Sequence, residues 1–201
     1  MRKIVVVENL SLDGVMQAPG RADEDLRGGF AHGGWVLPYN DSVKGRIMAE
    51  GMSNAGPLLF GRRTYEDFFS VWPKRKDNPF TEVLDKAQKY VASRTLTEPL
   101  PWRNSTRLEG DATDAVARLK HAPGKDLVVL GSGELVRSLM RRNLVDEYVL
   151  LIHPLVLGSG RRLFADAGAL ASLRLVDAKT TTTGVVIARY DGGVNVHEHT
   201  R

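Results

Sequence analysis

The chain has no cysteine among its 201 residues. That excludes disulfides, thiolate metal centres and thiol nucleophiles together. Long apolar runs are missing as well: none approaches the ~20 residues that a bilayer-spanning helix needs, so no membrane partner is expected. The five histidines are scattered without metal-ligand spacing, and no metal is expected. A strong charge of one sign is absent too, since 28 Lys and Arg stand against 24 Asp and Glu. The mild positive excess favours anionic ligands. A nucleic-acid binder would show a basic stripe interleaved with aromatics, and the densest basic patches here, Lys74-Arg75-Lys76 and Arg141-Arg142, read as solvated surface. Met1-Arg2-Lys3 precedes an apolar run, Ile4 to Val7, that is too short for a signal peptide and reads as a first strand. A cytoplasmic location is the default expectation. No repeat, linker or low-complexity segment divides the chain, so residues 1–201 read as one domain.

What the chain does have is one device used twice. Pro57-Leu58-Leu59-Phe60 runs into Gly61-Arg62-Arg63-Thr64, and Leu127-Val128-Val129-Leu130 runs into Gly131-Ser132-Gly133-Glu134-Leu135. Each is a short apolar strand, then glycine, then a helix-like segment. A buried strand that ends in glycine and opens a helix leaves first-turn N–H groups unpaired at the positive end of the helix dipole. Such a corner favours an anion. Two corners in one domain, the first with adjacent arginines, suggest the phosphates of a dinucleotide. The second is not the G-x-G-x-x-G fingerprint, because Val136 stands where the third glycine belongs.

Patterning places strands at 2–10, 57–60, 88–92, 105–108, 127–130, 147–152, 172–180 and 182–190. Helices are predicted from Asp41 or Ser42 to Met52, from Arg62, over 80–86, from Asp111 or Thr113 to Lys120, and over 133–142. Val43, Ile47 and Met48 are expected on the buried side of the first helix, and Ala115, Val116 and Leu119 on that of the fourth. Residues 15–38 form a long glycine-rich loop of the kind that carries function. Residues 70–79 read as an exposed polar loop, and Thr183-Gly184 as the turn of a closing hairpin. The expected class is α/β: a three-layer α/β/α domain whose mixed, mainly parallel sheet ends in a C-terminal antiparallel hairpin.

Gly61-Arg62-Arg63-Thr64-Tyr65-Glu66 after a buried strand resembles the cofactor motif of the dihydrofolate reductase fold. Leu144 to Tyr148, His153-Pro154-Leu155-Val156-Leu157-Gly158-Ser159-Gly160 and Leu163-Phe164, with Ser11-Leu12-Asp13-Gly14 near the first strand, resemble the reductase domain of the bifunctional riboflavin-biosynthesis deaminase-reductase. The deaminase half, which needs zinc-binding cysteines, is absent from this sequence.

The resemblance implies NADPH as hydride donor and a pterin, pyrimidine or riboflavin-precursor-like substrate. It implies cofactor contacts at Val7, Leu12, Gly14, Gly61, Arg62, Arg63 and Thr64. Ser93 and Arg94 are implied at the adenosine 2′-phosphate, and Gly131, Ser132, Gly133, Glu134 and Leu135 at the second phosphate corner. Family members commonly form homodimers. Read without the resemblance, these segments are also ordinary turns with solvated arginines. Folate reductases place a carboxylate five residues after a tryptophan; here Asn40 stands five after Trp35, and Asp41 one later. Asp41 and Asp13 are therefore the candidate proton donors, although each also fits a plain cap or turn. Glu8, Trp35, Asn40 and Tyr65 are expected around the substrate. Arg161 or Arg162 is a candidate for a substrate phosphate, or else belongs to a loop closing the sheet edge. Phe164 is expected in the core. A nucleotide-binding regulator without turnover remains the rival reading, favoured by Asn40 at the position of the acid.

Overall fold

The computed structural model describes residues 1–76, 78–164 and 171–194. Strands β1 (Ile4–Ser11), β2 (Leu58–Gly61), β3 (Lys89–Ala92), β4 (Ser105–Arg107), β5 (Leu127–Leu130), β6 (Glu147–His153), β7 (Ser172–Thr180) and β8 (Val186–Val194) form a single sheet in the order β4-β3-β2-β5-β1-β6-β8-β7. The six strands from β4 to β6 are parallel, and β8 and β7 close the sheet antiparallel. Helices α1 (Ser42–Asn54), α2 (Arg62–Val71), α3 (Pro79–Lys86), α4 (Ala112–His121) and α5 (Gly133–Arg141) cover it.

Alternation along the strands assigns the two faces. Val6, Leu59, Leu127 and Val129 pack with Ala115 and Val116 of α4 and with Leu135, Val136 and Leu139 of α5. The residues between them, Leu58, Phe60 and Val128, pack with Met52 of α1, Tyr65 of α2 and Leu84 of α3. Both faces are apolar because parallel strands are covered on both sides. The expected three-layer arrangement is therefore present.

Capping divides the helices into two groups. Asp41 accepts the Lys44 amide at 2.7 Å, Asn78 accepts the Phe80 amide at 2.9 Å, and Asp111 accepts the Thr113 amide at 2.8 Å, so α1, α3 and α4 start on side-chain caps. Helices α2 and α5 start on Gly61 and Ser132 with no side-chain cap.

Four local expectations need correction. On α1 the buried positions are Lys44 and Met52, while Val43, Ile47 and Met48 are only half-buried. The final strand starts at Val186, not 182, because Thr181 to Val185 form the turn, with Thr181 N–H donating to the Val185 carbonyl at 2.9 Å. Residues 72–74 form a 3₁₀ turn rather than an open loop, and Trp72 packs between Phe68 and Phe80. Phe164 is 46% exposed and leans on Tyr148 from outside.

Tyr65 shows how the apolar face is tied to its surroundings. It is 1% exposed, and its hydroxyl oxygen accepts the Trp102 amide at 3.0 Å. Tyr65→Phe leaves that buried amide without its partner, so the expected loss is about 1–3 kcal/mol of unfolding free energy, readable as a lower urea midpoint at unchanged slope.

Candidate functional site

β2 and β5 are neighbours and run parallel, so their C-terminal glycines meet at the same rim of the sheet. The Gly61 amide donates to the Ser132 hydroxyl oxygen at 2.9 Å. A Cβ on Gly131 would stand 3.3 Å from the Thr64 methyl. The two corners are thus in direct contact. Gly131 and Ser132 both adopt left-handed backbone, with φ of 60° and 67°, and the bond joining them is trans. That geometry costs a non-glycine residue roughly 1–2 kcal/mol, which Ser132 offsets in part through its hydroxyl.

Around this contact lies a cleft of about 1120 Å³. Of the residues expected at the coenzyme, Val7, Gly61, Arg62, Arg63, Thr64, Ser93, Arg94 and Gly131 to Leu135 all line it. None of the first-turn amides of α2 or α5, from Arg62, Arg63, Thr64, Gly133, Glu134 and Leu135, is capped by a side chain. Ser93 accepts the Thr95 and Leu96 amides at 3.1 and 3.0 Å, so it shapes its turn while Arg94 stands exposed beside it. Arg62 pairs with Glu66 at 3.0 Å. The Glu134 carboxylate gathers Arg27, Arg63 and Arg161 at 3.7, 3.5 and 3.3 Å, which concentrates positive charge at the cleft. The donor set and the uncapped amides fit a dinucleotide diphosphate.

The loop of residues 15–38 forms the opposite wall. Arg21 makes two bonds to the Asp67 carboxylate of α2, at 3.2 and 2.6 Å, and Gln17 donates to the Asp25 and Arg27 carbonyls. Residues 155–162 brace it, as Val15 bridges to Arg162 and the Arg161 amide donates to Gln17. The loop therefore closes on itself and on α2.

Several expected residues lie elsewhere. Asp13 faces the 155–162 segment, where it accepts the Ser11 hydroxyl, the Leu157 and Gly158 amides and Arg162. The Ser11 hydroxyl above all holds its carboxyl well below the ordinary range, so it is no proton donor. Asp41 caps α1 and also accepts the Thr182 hydroxyl and amide, chiefly the hydroxyl lowering its pKa. Trp35 donates its indole N–H to the Gln17 carbonyl at 2.8 Å inside the loop core. Tyr65 is buried behind β2 in its bond to Trp102. Leu12 is 64% exposed and Gly14 forms the turn after β1, and neither lines the cleft. Arg162 is committed to Asp13, whereas Arg161 does line the cleft.

Glu8 and Asn40 are in the cleft. Glu8 is 4% exposed and its Oε1 has no hydrogen-bond partner. Burial, with the neighbouring Glu24 charge second, pushes its pKa well above the ordinary carboxylate value. Sequence reasoning missed Lys44. It lines the cleft, contacting Asn40 Oδ1 at 3.2 Å and His153 Nε2 at 3.1 Å. A helix lysine carries no signal of burial; the lysine spaced four after Asn40 was the only hint. Among the described residues no group of His, Cys, Asp and Glu could hold a metal ion, and no helix is long and apolar enough to cross a membrane.

Comparison with known proteins agrees with this fold. The family model for the RibD C-terminal domain matches residues 2–187. The uncharacterized protein YyaP of Bacillus subtilis (strain 168) is 34% identical over 134 residues, which is 64% of this chain and 70% of YyaP. A protein of Shewanella sp. PV-4 that carries the name of riboflavin biosynthesis has the same fold, with a TM-score of 0.67 at 20% identity, over 96% of this chain and 99% of the other. A pyrimidine reductase-like protein of Corynebacterium diphtheriae aligns with a TM-score of 0.65 at 12% identity, over 96% and 93%.

Proposed function

This chain belongs to the RibD C-terminal domain family, a reductase-like family, and from that premise we propose that it is an NADPH-dependent reductase of a small heterocyclic substrate. The substrate class is a pterin, a pyrimidine or a riboflavin-precursor-like compound. One observation carries the reading: α2 and α5, whose first turns meet at the touching corners, lack side-chain caps, while the other three helices have them, α1 and α4 included although their starts also line the cleft. Uncapped first-turn amides at two touching corners are what a diphosphate bridge requires.

Thr64 and Gly133 would hold the diphosphate through their backbone N–H groups, and Gly61 and Gly131, without side chains, would let it approach. Arg63 and Arg94 would meet the remaining phosphate charge. Bound there, the coenzyme supplies a hydride. The protein's own share is to fix the partners and manage the proton. The loop of residues 15–38, held to α2 by Arg21 and Asp67, excludes water from one side. Glu8 is the proton reservoir in place of Asp13 and Asp41, because it is the carboxyl that faces the cleft, is buried and has an oxygen free. The apolar residues Leu175 and Val176 on edge strand β7, 54% and 40% exposed, suit the pairing of two copies that belongs to the same proposal.

Fluorescence titration tests the cofactor assignment. NADPH is expected to bind at least ten-fold more tightly than NADH, and Arg94→Ala is expected to remove that preference, since a hydrogen bond to a charged group contributes about 1.5–3 kcal/mol. Equal affinities for the two coenzymes would refute the role given to Arg94. Steady-state NADPH oxidation with dihydrofolate and with the riboflavin precursor then separates reductase from regulator. Tight NADPH binding without turnover of either substrate, or of any related heterocycle, would favour the regulator.

A further inference from the structure

Lys44 is a cation buried without a counter-ion. It is 8% exposed, and an ammonium has three N–H donors. One goes to Asn40 Oδ1 and one to His153 Nε2. Neither partner is anionic. His153 has its other nitrogen, Nδ1, 2.9 Å from the Leu151 carbonyl and 3.3 Å from the Leu10 carbonyl. Two carbonyls beside Nδ1 place the proton there, so Nε2 is the acceptor and the ring is neutral. Burial first, and the Lys44 charge second, hold the His153 pKa down at about 4. Asp41, the carboxylate whose charge acts on Lys44, is engaged by the Lys44 amide and by Thr182, not by the ammonium. An unpaired buried cation is costly in a dry interior. Here the third donor has an outlet, because Lys44 lines the cleft.

The surroundings define what that donor can meet. Leu37, Met48, Met52 and Leu151 line the cleft together with Lys44, as does Asn9, whose Oδ1 is buried and has no partner. At the position where the resemblance leads one to look for an acid, the residue is Asn40, and its amide oxygen is turned to Lys44. These apolar side chains leave the Lys44 ammonium as the buried cation of this part of the cleft, and the Glu8 carboxyl that also lines it is pushed by burial well above its ordinary pKa, which favours its neutral form.

We propose that Lys44 is the substrate-recognition cation of this cleft, and that the substrate is a planar heterocycle bearing an anionic oxygen, a carboxylate or a deprotonated ring oxygen, which completes the third hydrogen bond of the ammonium. Asn40 and His153 are positioning residues that aim the ammonium. The assignment rests on the reading of the cleft as a reductase substrate site, and it narrows that reading to anionic ring compounds.

Calorimetric titration of the full chain with three pyrimidine probes tests it: orotate, which carries a carboxylate; uracil, which is neutral; and 2,4-diaminopyrimidine, which takes a proton to become a cation. Each is titrated with and without saturating NADPH. Orotate is expected to bind at least ten-fold more tightly than uracil, and 2,4-diaminopyrimidine more weakly than either. Lys44→Met should abolish the preference for orotate, and Lys44→Arg should retain part of it. NADPH affinity should stay within two-fold in both variants, which also reports that they fold. In the wild-type chain, the Lys44 ammonium signal in ¹⁵N-detected NMR should move on adding orotate and stay still on adding uracil. An unchanged orotate preference in Lys44→Met, tighter binding of the diamino compound, or a silent ammonium signal would each overturn the proposal. Failure of NADPH to bind while orotate binding still depends on Lys44 would remove the reductase reading and leave the anion site standing.

Discussion

Glu8→Gln is expected to leave the fold intact and lower kcat about 100-fold or more, with NADPH affinity unchanged. The side chains match in volume, and Glu8 sits at the middle of β1 with its backbone paired to β6. What changes is the exchangeable proton. General acid–base catalysis by a placed side chain contributes about 10²–10⁴-fold in rate, and glutamine cannot donate and recover a proton. A stability measurement separates this role from a structural one. In the folded protein, burial raises the Glu8 pKa above its ordinary value. Between the ordinary and the raised value, the native state holds a proton that the unfolded chain has released. Stability contributed by this group therefore falls as pH rises through that window. Glutamine has no such titration. The variant should gain stability relative to wild type between pH 5 and pH 8, in parallel denaturant melts at the two values. Wild-type turnover in Glu8→Gln would end the assignment. A relative stability that stays the same at pH 5 and pH 8 would show a carboxylate already charged in the native state, and would overturn the assignment.

His153 works with opposite sign. Its folded pKa of about 4 lies below the ordinary 6.5, so the unfolded chain takes up a proton first as pH falls. Stability contributed by keeping this ring neutral is present above the ordinary value and is lost on acidification toward pH 4. Glu8 and His153 thus pull the stability profile in different directions in overlapping windows, and both groups border the same cleft through their own or a neighbouring side chain.

The strand-to-helix corners were legible because the information is local. An apolar run, a glycine and a helix start occupy ten consecutive residues, and the device occurs twice. The caps Asp41 and Asp111 were legible for the same reason. The chemistry of the acids was not. Asp13 and Asp41 both sit at chain positions that suit a proton donor, but their partners come from far along the chain: Leu157, Gly158 and Arg162 for one, Thr182 for the other. No local pattern reveals that a carboxylate is already saturated. Lys44 failed in the opposite way. Periodicity assigns a helix lysine to solvent, whereas His153, 109 residues later, draws it inward. Glu8 was readable as far as alternation on β1 reaches, and only the packing of loop 15–38 decided that its face was the cleft and not an open edge. Single-residue chemistry in this site is set by contacts between distant segments, while its backbone frame is set by neighbours.

Gly131→Val tests that frame directly, and its expected result is a loss of NADPH affinity of about 100-fold or more, at a stability cost of about 2 kcal/mol. The stability term is backbone strain: φ is 60° at this position, and a β-branched residue in left-handed geometry is an outlier whose cost begins at roughly 1–2 kcal/mol. The affinity term is steric. The added Cβ alone would lie 3.3 Å from the Thr64 methyl, and two further methyl groups must occupy the space between the corners. That pushes the first turn of α2 away from the first turn of α5, so amides aimed at one diphosphate no longer converge. Gly158→Val is the matched control. Its φ is 74°, nothing lies within 4 Å of the Cβ position, and it does not line the cleft. Both variants should lose similar stability in urea melts, and only Gly131→Val should lose the coenzyme in fluorescence titration. Wild-type NADPH affinity in Gly131→Val would mean that the contact between the corners holds the sheet rim together and has no part in binding phosphate.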